Sequence, residues 1–373
     1  MKPGPQIPVA VFITSFHPGG TERQMIELVH RLDRNRFDVH VACTHKEGPW
    51  LSQVEASAPV TAFPIRGFAH PTMVAQGAAF ARWCRAEKIA VVQSCELYGN
   101  VFALPFAAMG GVPARIGSRR ELNPDKTRTQ MTLQRQSYRF AHAIVANSNA
   151  AARQLEHEGI RSDRIAIVPN GVDIDRFDTP RARRPITTVL TVANLRTEKA
   201  HEVLLTAAAR LLLRHPHLRF VIAGDGPRMA DLRAMADALR LDASVRFLGH
   251  REDIPALLAE ADLFVLPSRS EAFPNSAIEA MAAGLPVVAS AAGGLLDLIA
   301  DGETGVLVRP DDPVALGDAI DALVRSPERA AALGSNARDA VTRGYSFDRM
   351  VRAFEDLYLT HLGMPRGVSS RAA

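Results

Sequence analysis

The sequence predicts an α/β protein of two Rossmann-like domains, each built on a doubly wound parallel sheet. Three observations predict it. Apolar runs of strand length alternate with segments of helical period over residues 9–177 and again over 187–345. Between them DTPRARRPIT (178–187) mixes prolines with arginines and reads as a linker. At 373 residues the chain is long enough for two full cores. The domains are expected at 1–178 and 179–345, followed by an amphipathic helix at 346–362.

VAVFITSF (9–16) is apolar throughout, as a strand covered on both faces must be. In the following HPGGTERQMIELVHRL, Gly19 and Gly20 make a turn and Thr21 is a candidate cap. Met25, Ile26, Leu28, Val29 and Leu32 recur at helical spacing. The turn lacks the Gly-x-Gly-x-x-Gly pattern, so it supports a dinucleotide site only weakly, and a plain βα turn explains it as well. FDVHVACT (37–44) and VTAFPI (60–65) are strands, and 73–88 is an Ala-rich helix. IAVVQSCE (89–96) is a strand ending in polar residues, where α/β proteins keep ligand contacts. A helix at 98–109 and a strand at 113–118 lead to the charged segment RRELNPDKTRTQ (119–130), expected as a mobile loop near a ligand. A helix at 131–141, strand AIVAN (143–147) and a helix capped by Ser148 complete the first half.

The second half opens with TTVLTVANL (187–195). Helix 201–214, strand FVIAGDG (220–226), helix 228–240, strand VRFLG (245–249), helix 253–260 and strand DLFVLP (262–267) follow. SEAFPNSAIEAMAAGLPVVAS (270–290) reads as loop, helix and strand. Pro274 suits a first helical turn, Asn275 or Ser276 can cap it, and Gly284 ends it as a C′ residue. Helices are expected near 313–324 and 328–342.

Apolar content of 47% and charged content of 23% are those of a soluble globular protein. No apolar run reaches the ~18 residues of a membrane span, and the N-terminus lacks the apolar stretch of a signal peptide. Cys43, Cys84 and Cys95 have no metal spacing, so a reduced, cytoplasmic setting is expected. The net charge of +4 is uneven: residues 1–184 hold 24 Lys and Arg against 16 Asp and Glu, and the remainder 20 against 24. A basic first half fits an anionic acceptor or peripheral attachment to the inner face of the plasma membrane, and equally an ordinary solvated surface. Its cations are scattered, and no nucleic-acid partner is expected.

Two carboxylates bracket the 270–290 turn. Glu271 sits beside a helix N-terminus, a natural seat for phosphate, where it can accept hydrogen bonds from a sugar. Glu279, about one turn into the helix, is placed to hold ribose hydroxyls. Phosphate, sugar and ribose together suggest a nucleotide-sugar. A capping Glu and a solvated helix Glu are the alternative.

This stretch resembles the signature of the retaining glycosyltransferases of family 4, which have the GT-B fold. The residues that carry the resemblance are Glu271 and Glu279 at their Glu-x7-Glu spacing, Gly284, Pro286, Val287, Val288, and the Gly293–Gly294 turn. DGETGVLVRPDD (301–312) is similar to the family too. The resemblance is close over the C-terminal half and looser over the first. It implies two Rossmann-like domains facing a central cleft, the first for an acceptor and the second for the donor, with the last helix crossing back to the first. It also implies metal-independent transfer, with retention, from a UDP- or GDP-sugar to a hydroxyl of a glycan or lipid-linked acceptor. No cofactor beyond the nucleotide-sugar is expected.

Residue by residue, the resemblance gives Glu271 the donor sugar and Glu279 the ribose. It gives Arg196 and Lys199, in VANLRTEKAHEVLL, the departing diphosphate. The family's Arg stands two positions earlier, at Asn194 here, so Lys199 is the better match. Because Pro274 has no N–H, phosphate contacts pass to Phe273, Asn275 and Ser276. Gly224 and Gly226 let a base or phosphate approach the backbone, or simply make a βα turn. Gly249, His250 and Arg251 match a base-contacting loop, and Gly19 and Gly20 face phosphate and acceptor. One departure stands out: the family's first-domain His is missing, and Arg119 and Arg120 occupy that neighbourhood. Arg119 is assigned the sugar or an anionic acceptor. A non-catalytic nucleotide-sugar or glycan-binding protein on this fold, or a sugar-nucleotide epimerase, are the rival readings.

Overall fold

The computed structural model describes residues 5–122, 126–177 and 185–365. They fall into two compact units, one of residues 1–171 with 347–373 and the other of residues 172–346. The expected linker lies mostly outside the described residues, as do Asn123–Asp125 of the expected mobile loop and the chain after Pro365.

The first unit holds a seven-stranded, wholly parallel sheet. Its strands are β1 (Ile7–Phe12), β2 (Phe37–Cys43), β3 (Val60–Ala62), β4 (Val91–Ser94), β5 (Ala114–Arg119), β6 (Ala143–Ala146) and β7 (Ile165–Ile167), in spatial order β3-β2-β1-β4-β5-β6-β7. Both faces are covered, which is why the strands are apolar runs and not alternating ones. In β1, Val9 and Val11 join the core on one face while Ala10 and Phe12 join the core on the other. Phe12 stacks on Phe102 and meets Phe80 edge-on. The last helix, Phe347–His361, belongs to this unit and buries Phe347, Met350, Val351, Phe354 and Tyr358 with the β1 face. Gln24 of the first helix, Gly20–Arg31, clamps Gly171 through both its amide atoms, at 2.8 and 2.9 Å.

The second unit repeats the plan with β8 (Thr188–Val192), β9 (Arg219–Ala223), β10 (Val245–Gly249), β11 (Leu263–Leu266), β12 (Val287–Ser290) and β13 (Val306–Val308), in the order β10-β9-β8-β11-β12-β13. In each sheet the chain runs outward on one side of its first strand, then returns to add strands on the other side. β1/β4 and β8/β11 are therefore the two topological switch points, where ligands of doubly wound sheets bind at the strands' carboxyl ends.

Several local expectations change. The first helix has Gly19 at its N-cap in extended backbone, and the Glu22 carboxylate folds back over that glycine, so Thr21 is not the cap. Helix Asn275–Ala282 has Pro274 at its N-cap and no side-chain cap from Asn275 or Ser276. Its other end is as expected. Gly284, at φ +70°, donates to Met281 while Leu285 donates to Ala280, the pair of bonds that closes a Schellman turn. Helix Arg128–Ser137 starts three residues early because Thr127 and Gln130 form a capping box, which shortens the expected mobile loop. Among the described residues no helix is long and apolar enough to cross a membrane.

The largest correction concerns Arg119. It ends β5 fully buried, bonding Glu158 at 2.7 Å, Gln134 at 2.8 Å and the Glu121 carbonyl at 2.9 Å. Strand pairing turns it into the interior, so it is a structural cation and not a ligand contact. Arg119→Ala leaves Glu158 unpaired and should lower the unfolding free energy of the first unit by about 3–5 kcal/mol in urea denaturation. Loss under 1 kcal/mol would contradict the buried pair.

Candidate functional site

The switch point of the second unit brings together residues 72 positions apart. Lys199 lies on a 3-10 turn (Thr197–Lys199) that leaves β8, and Glu271 on the loop that leaves β11. Lys199 Nζ donates to Glu271 Oε1 at 2.7 Å, and Ser268 Oγ donates to the same oxygen at 2.7 Å. Glu271 is 7% exposed, so its charge needs both partners. Its Oε2 bonds nothing among the described residues, and an ammonium that spends one donor on Glu271 has two left.

The turn under Lys199 is held by Arg269. This guanidinium donates to the Thr197 carbonyl, to Glu202 and to Asp311, each at 2.6 Å, and its backbone N–H donates to Glu198 O at 2.8 Å. Arg228 adds a bond to Glu202 at 2.9 Å. Ala200 stands at φ +51°, a left-handed conformation that costs an alanine about 1–2 kcal/mol. That strain is carried one residue from Lys199, where chemistry is expected. Ser268 and Arg269 went unrecognised in the sequence. Ser268 had a usable signal, as the polar residue one step past a strand's carboxyl end.

The other expected site residues divide. Glu279 is 9% exposed in helix Asn275–Ala282, whose uncapped N-terminus follows directly on the Glu271 loop, with Asn275 and Ser276 in its first turn. Arg196 is exposed and makes no hydrogen bond or ion pair among the described residues beyond its backbone. The Phe273 side chain is core, its ring 5.6 Å from that of Tyr345. His250 and Arg251 are exposed, and Arg251 pairs with Asp253. Gly249 accepts from Gly224 N–H at 2.8 Å. Gly224 and Gly226 do approach a backbone closely, but it is the chain's own: an added Cβ would lie 1.9 Å from Ala193 O or 2.6 Å from Leu195 O. They lock the turn after β9 onto the loop after β8.

Gly293 and Gly294 do the same for the Glu271 loop. A Cβ on Gly293, which sits at φ +54°, would lie 2.0 Å from Glu271 O, and one on Gly294 2.1 Å from Ala272 O. Gly294 N–H donates to Glu271 O at 2.8 Å.

The matching switch point of the first unit has its own polar group. Thr14, just past β1, donates to Glu96 Oε1, just past β4, at 2.5 Å. Burial pushes the Glu96 carboxyl up to about 7 against the opposing Thr14 bond, with Glu22 and Glu121 adding to the rise. Arg120 follows β5 at 6% exposure, Asn147 follows β6, and Glu22 is in the first turn of helix Gly20–Arg31. Gly19 and Gly20 begin that helix in the same unit.

The family model "Glycosyl transferases group 1" matches residues 175–340, and the model "Glycosyltransferase Family 4" matches residues 18–176. The chain belongs to the family-4 glycosyltransferases. The D-inositol 3-phosphate glycosyltransferase of Corynebacterium kroppenstedtii is 34% identical over 241 residues, 58% of this chain and 53% of that protein. The glycogen synthase of Mycobacterium tuberculosis is 35% identical over 200 residues, 52% and 48% of the two. The chain thus spans about half the length of the curated relatives it matches. Among solved structures, Anabaena HepE in complex with UDP has a TM-score of 0.84 at 22% identity, covering 95% of this chain and 100% of that one. Sucrose-phosphate synthase from Thermosynechococcus elongatus has a TM-score of 0.82 at 20% identity, covering 96% and 100%. These likenesses establish the GT-B fold.

Gly293→Ala combines a left-handed strain with a backbone collision, whereas Gly302, at φ +76°, faces open space. In paired denaturation experiments Gly293→Ala should cost roughly 2 kcal/mol more than Gly302→Ala. Equal costs would contradict a glycine that seats the Glu271 loop.

Proposed function

We propose that this family-4 chain transfers a sugar from a nucleotide-sugar, with a UDP-sugar the first donor to test, to a hydroxyl acceptor. The observation that carries the reading is the Lys199–Glu271 pair at the second unit's switch point, beside an uncapped helix N-terminus. Transfer requires a diphosphate to leave with its negative charge stabilised. Lys199, with two ammonium donors in hand, and the N-terminus of helix Asn275–Ala282 offer that charge from the protein itself, so the reaction is read as metal-independent. Arg196, unpaired in side chain among the described residues, joins them. Glu271 Oε2 accepts from a donor-sugar hydroxyl while Oε1 stays bonded to Lys199 and Ser268. Glu279 holds the ribose. Retention of anomeric configuration is what the family resemblance implies. The UDP and UDP-glucose complexes of HepE support the donor class. The relatives named for inositol phosphate and glycogen support a hydroxylated acceptor. A glycan or lipid-linked acceptor, a cytoplasmic setting and attachment to a membrane face belong to the same proposal.

UDP titrated calorimetrically should bind the wild type, and Glu279→Ala should weaken it at least tenfold. Glu271→Gln should keep nucleotide binding within a few-fold but slow donor turnover, read as transfer or donor hydrolysis, by about 10²–10³. Full turnover in Glu271→Gln would overturn the assignment. Tight nucleotide binding with neither transfer nor hydrolysis in the wild type would favour a nucleotide-sugar-binding protein instead.

A further inference from the structure

The Lys199 turn is held more tightly from outside than from within. Its own backbone bonds are long: Lys199 N–H donates to Arg196 O at 3.1 Å and Ala200 N–H to Thr197 O at 3.2 Å. The two that reach it from Arg269 are short, 2.6 Å from Nη1 to Thr197 O and 2.8 Å from the backbone N–H to Glu198 O. Arg269 thus grips the two residues ahead of Lys199, and the left-handed Ala200 follows it. In its own chain Arg269 stands between Ser268 and Glu271, so the stretch that presents the carboxylate also anchors the turn that presents the ammonium.

Arg269 is one member of a chain of charges. Nε donates to Asp311 and Nη2 to Glu202, and Glu202 also accepts from Arg228. Asp311, Arg269, Glu202 and Arg228 lie on the segments that follow β13, β11, β8 and β9, so the chain of charges links loops along the carboxyl ends of the sheet. Asp311, at φ +59°, holds a left-handed backbone as Ala200 does, and such conformations persist only where the surroundings over-determine them. As a source of stability this arrangement is poor. The Arg269 side chain is 32% exposed and that of Asp311 54%, and exposed pairs contribute little. Its geometry fits another task. All three guanidinium nitrogens are engaged by the protein, one of them on the turn itself.

We infer that Arg269 is a positioning residue for the transfer step: it fixes where the Lys199 ammonium meets the departing diphosphate and does not touch the diphosphate itself. Glu202 and Asp311 aim its guanidinium. The inference rests on the transfer reading. An ammonium on a flexible stem is a well-placed counter-charge only when the backbone under it is fixed, and a displacement of about 1 Å can cost on the order of 10² in rate.

The test compares wild type, Arg269→Met, Lys199→Ala and the double variant. Each is assayed under single-turnover conditions with the fastest of UDP-glucose, UDP-N-acetylglucosamine and GDP-mannose, read as transfer or donor hydrolysis, with melting temperature alongside. Arg269→Met should slow the maximal rate roughly 10- to 100-fold and leave the half-saturating donor concentration within about threefold of wild type. In the Lys199→Ala background the same change should slow the rate less than about twofold, while it shifts the melting temperature as much as it does with Lys199 present. An arginine that met the ligand directly, or one that merely held the fold, would slow both backgrounds alike, and that result overturns the inference. So does an Arg269→Met protein with the wild-type rate, or one whose defect lies in donor binding alone. If Arg269→Met does not fold, Arg269→Lys takes its place. Its ammonium keeps the charge beside Glu202 and Asp311 but lacks the fork that also reaches Thr197, so the same comparison decides. A wild type that turns over none of the donors overturns the transfer reading and this inference with it, whereas turnover with equal losses in the two backgrounds overturns the inference alone.

Discussion

A buried carboxylate needs a partner, and most of the second unit's local structure can be understood as supplying one to Glu271. Lys199 and Ser268 both bond its Oε1. Ser268 is three residues away on the same loop, but Lys199 is far off in sequence: β9 and β10 intervene between it and β11. Only the switch in strand order, which sets β11 beside β8, makes the pair possible. The cost of taking both charges out of water is offset by their short contact and the extra hydroxyl bond. One carboxylate oxygen and two ammonium donors remain, a set that suits the nucleotide-sugar proposed above.

Backbone-to-backbone contacts fix where that pair sits. Gly224 and Gly226 press the turn after β9 against Ala193–Leu195, ahead of Lys199, and Gly293–Gly294 press against Glu271–Ala272. Arg269 then ties the Lys199 turn to the loop that carries Glu271. Gly224 and Gly226, which the sequence offered either to ligand approach or to a plain βα turn, thus position the loops that bear the charged groups, as do Gly293 and Gly294. A side chain at any of these four positions would push a loop by ångströms, and charge stabilisation does not tolerate displacement on that scale.

Much of this was legible in the sequence. The alternation of strand-length apolar runs with helical segments gave two parallel sheets, because strands covered on both faces must be apolar throughout. Gly284 could be read as a helix stop, since only glycine takes the left-handed C′ position without cost. The pairing of Lys199 with Glu271 could not be read, because strand order is absent from a one-dimensional pattern. Nor could the division of labour between Arg119 and Arg120. Adjacent residues at a strand's end point to opposite sides, and both arginines are buried, so nothing in the pattern tells that Arg119 meets Glu158 while Arg120 meets Asn170. The helix caps failed for a similar reason: Gly19 stands at the cap expected of Thr21, with no side-chain cap bond, and Pro274 occupies the cap expected of Asn275 or Ser276.

The claim on which the rest turns is that Lys199 and Glu271 act as one unit. A double-mutant cycle measures this directly: UDP-sugar turnover in wild type, Lys199→Ala, Glu271→Ala and the double variant. The account predicts that the double variant is little slower than the worse single variant, with a coupling of about 2 kcal/mol or more. Additive losses would mean that the two residues act independently, and the pair seen in the structure would have no part in the reaction.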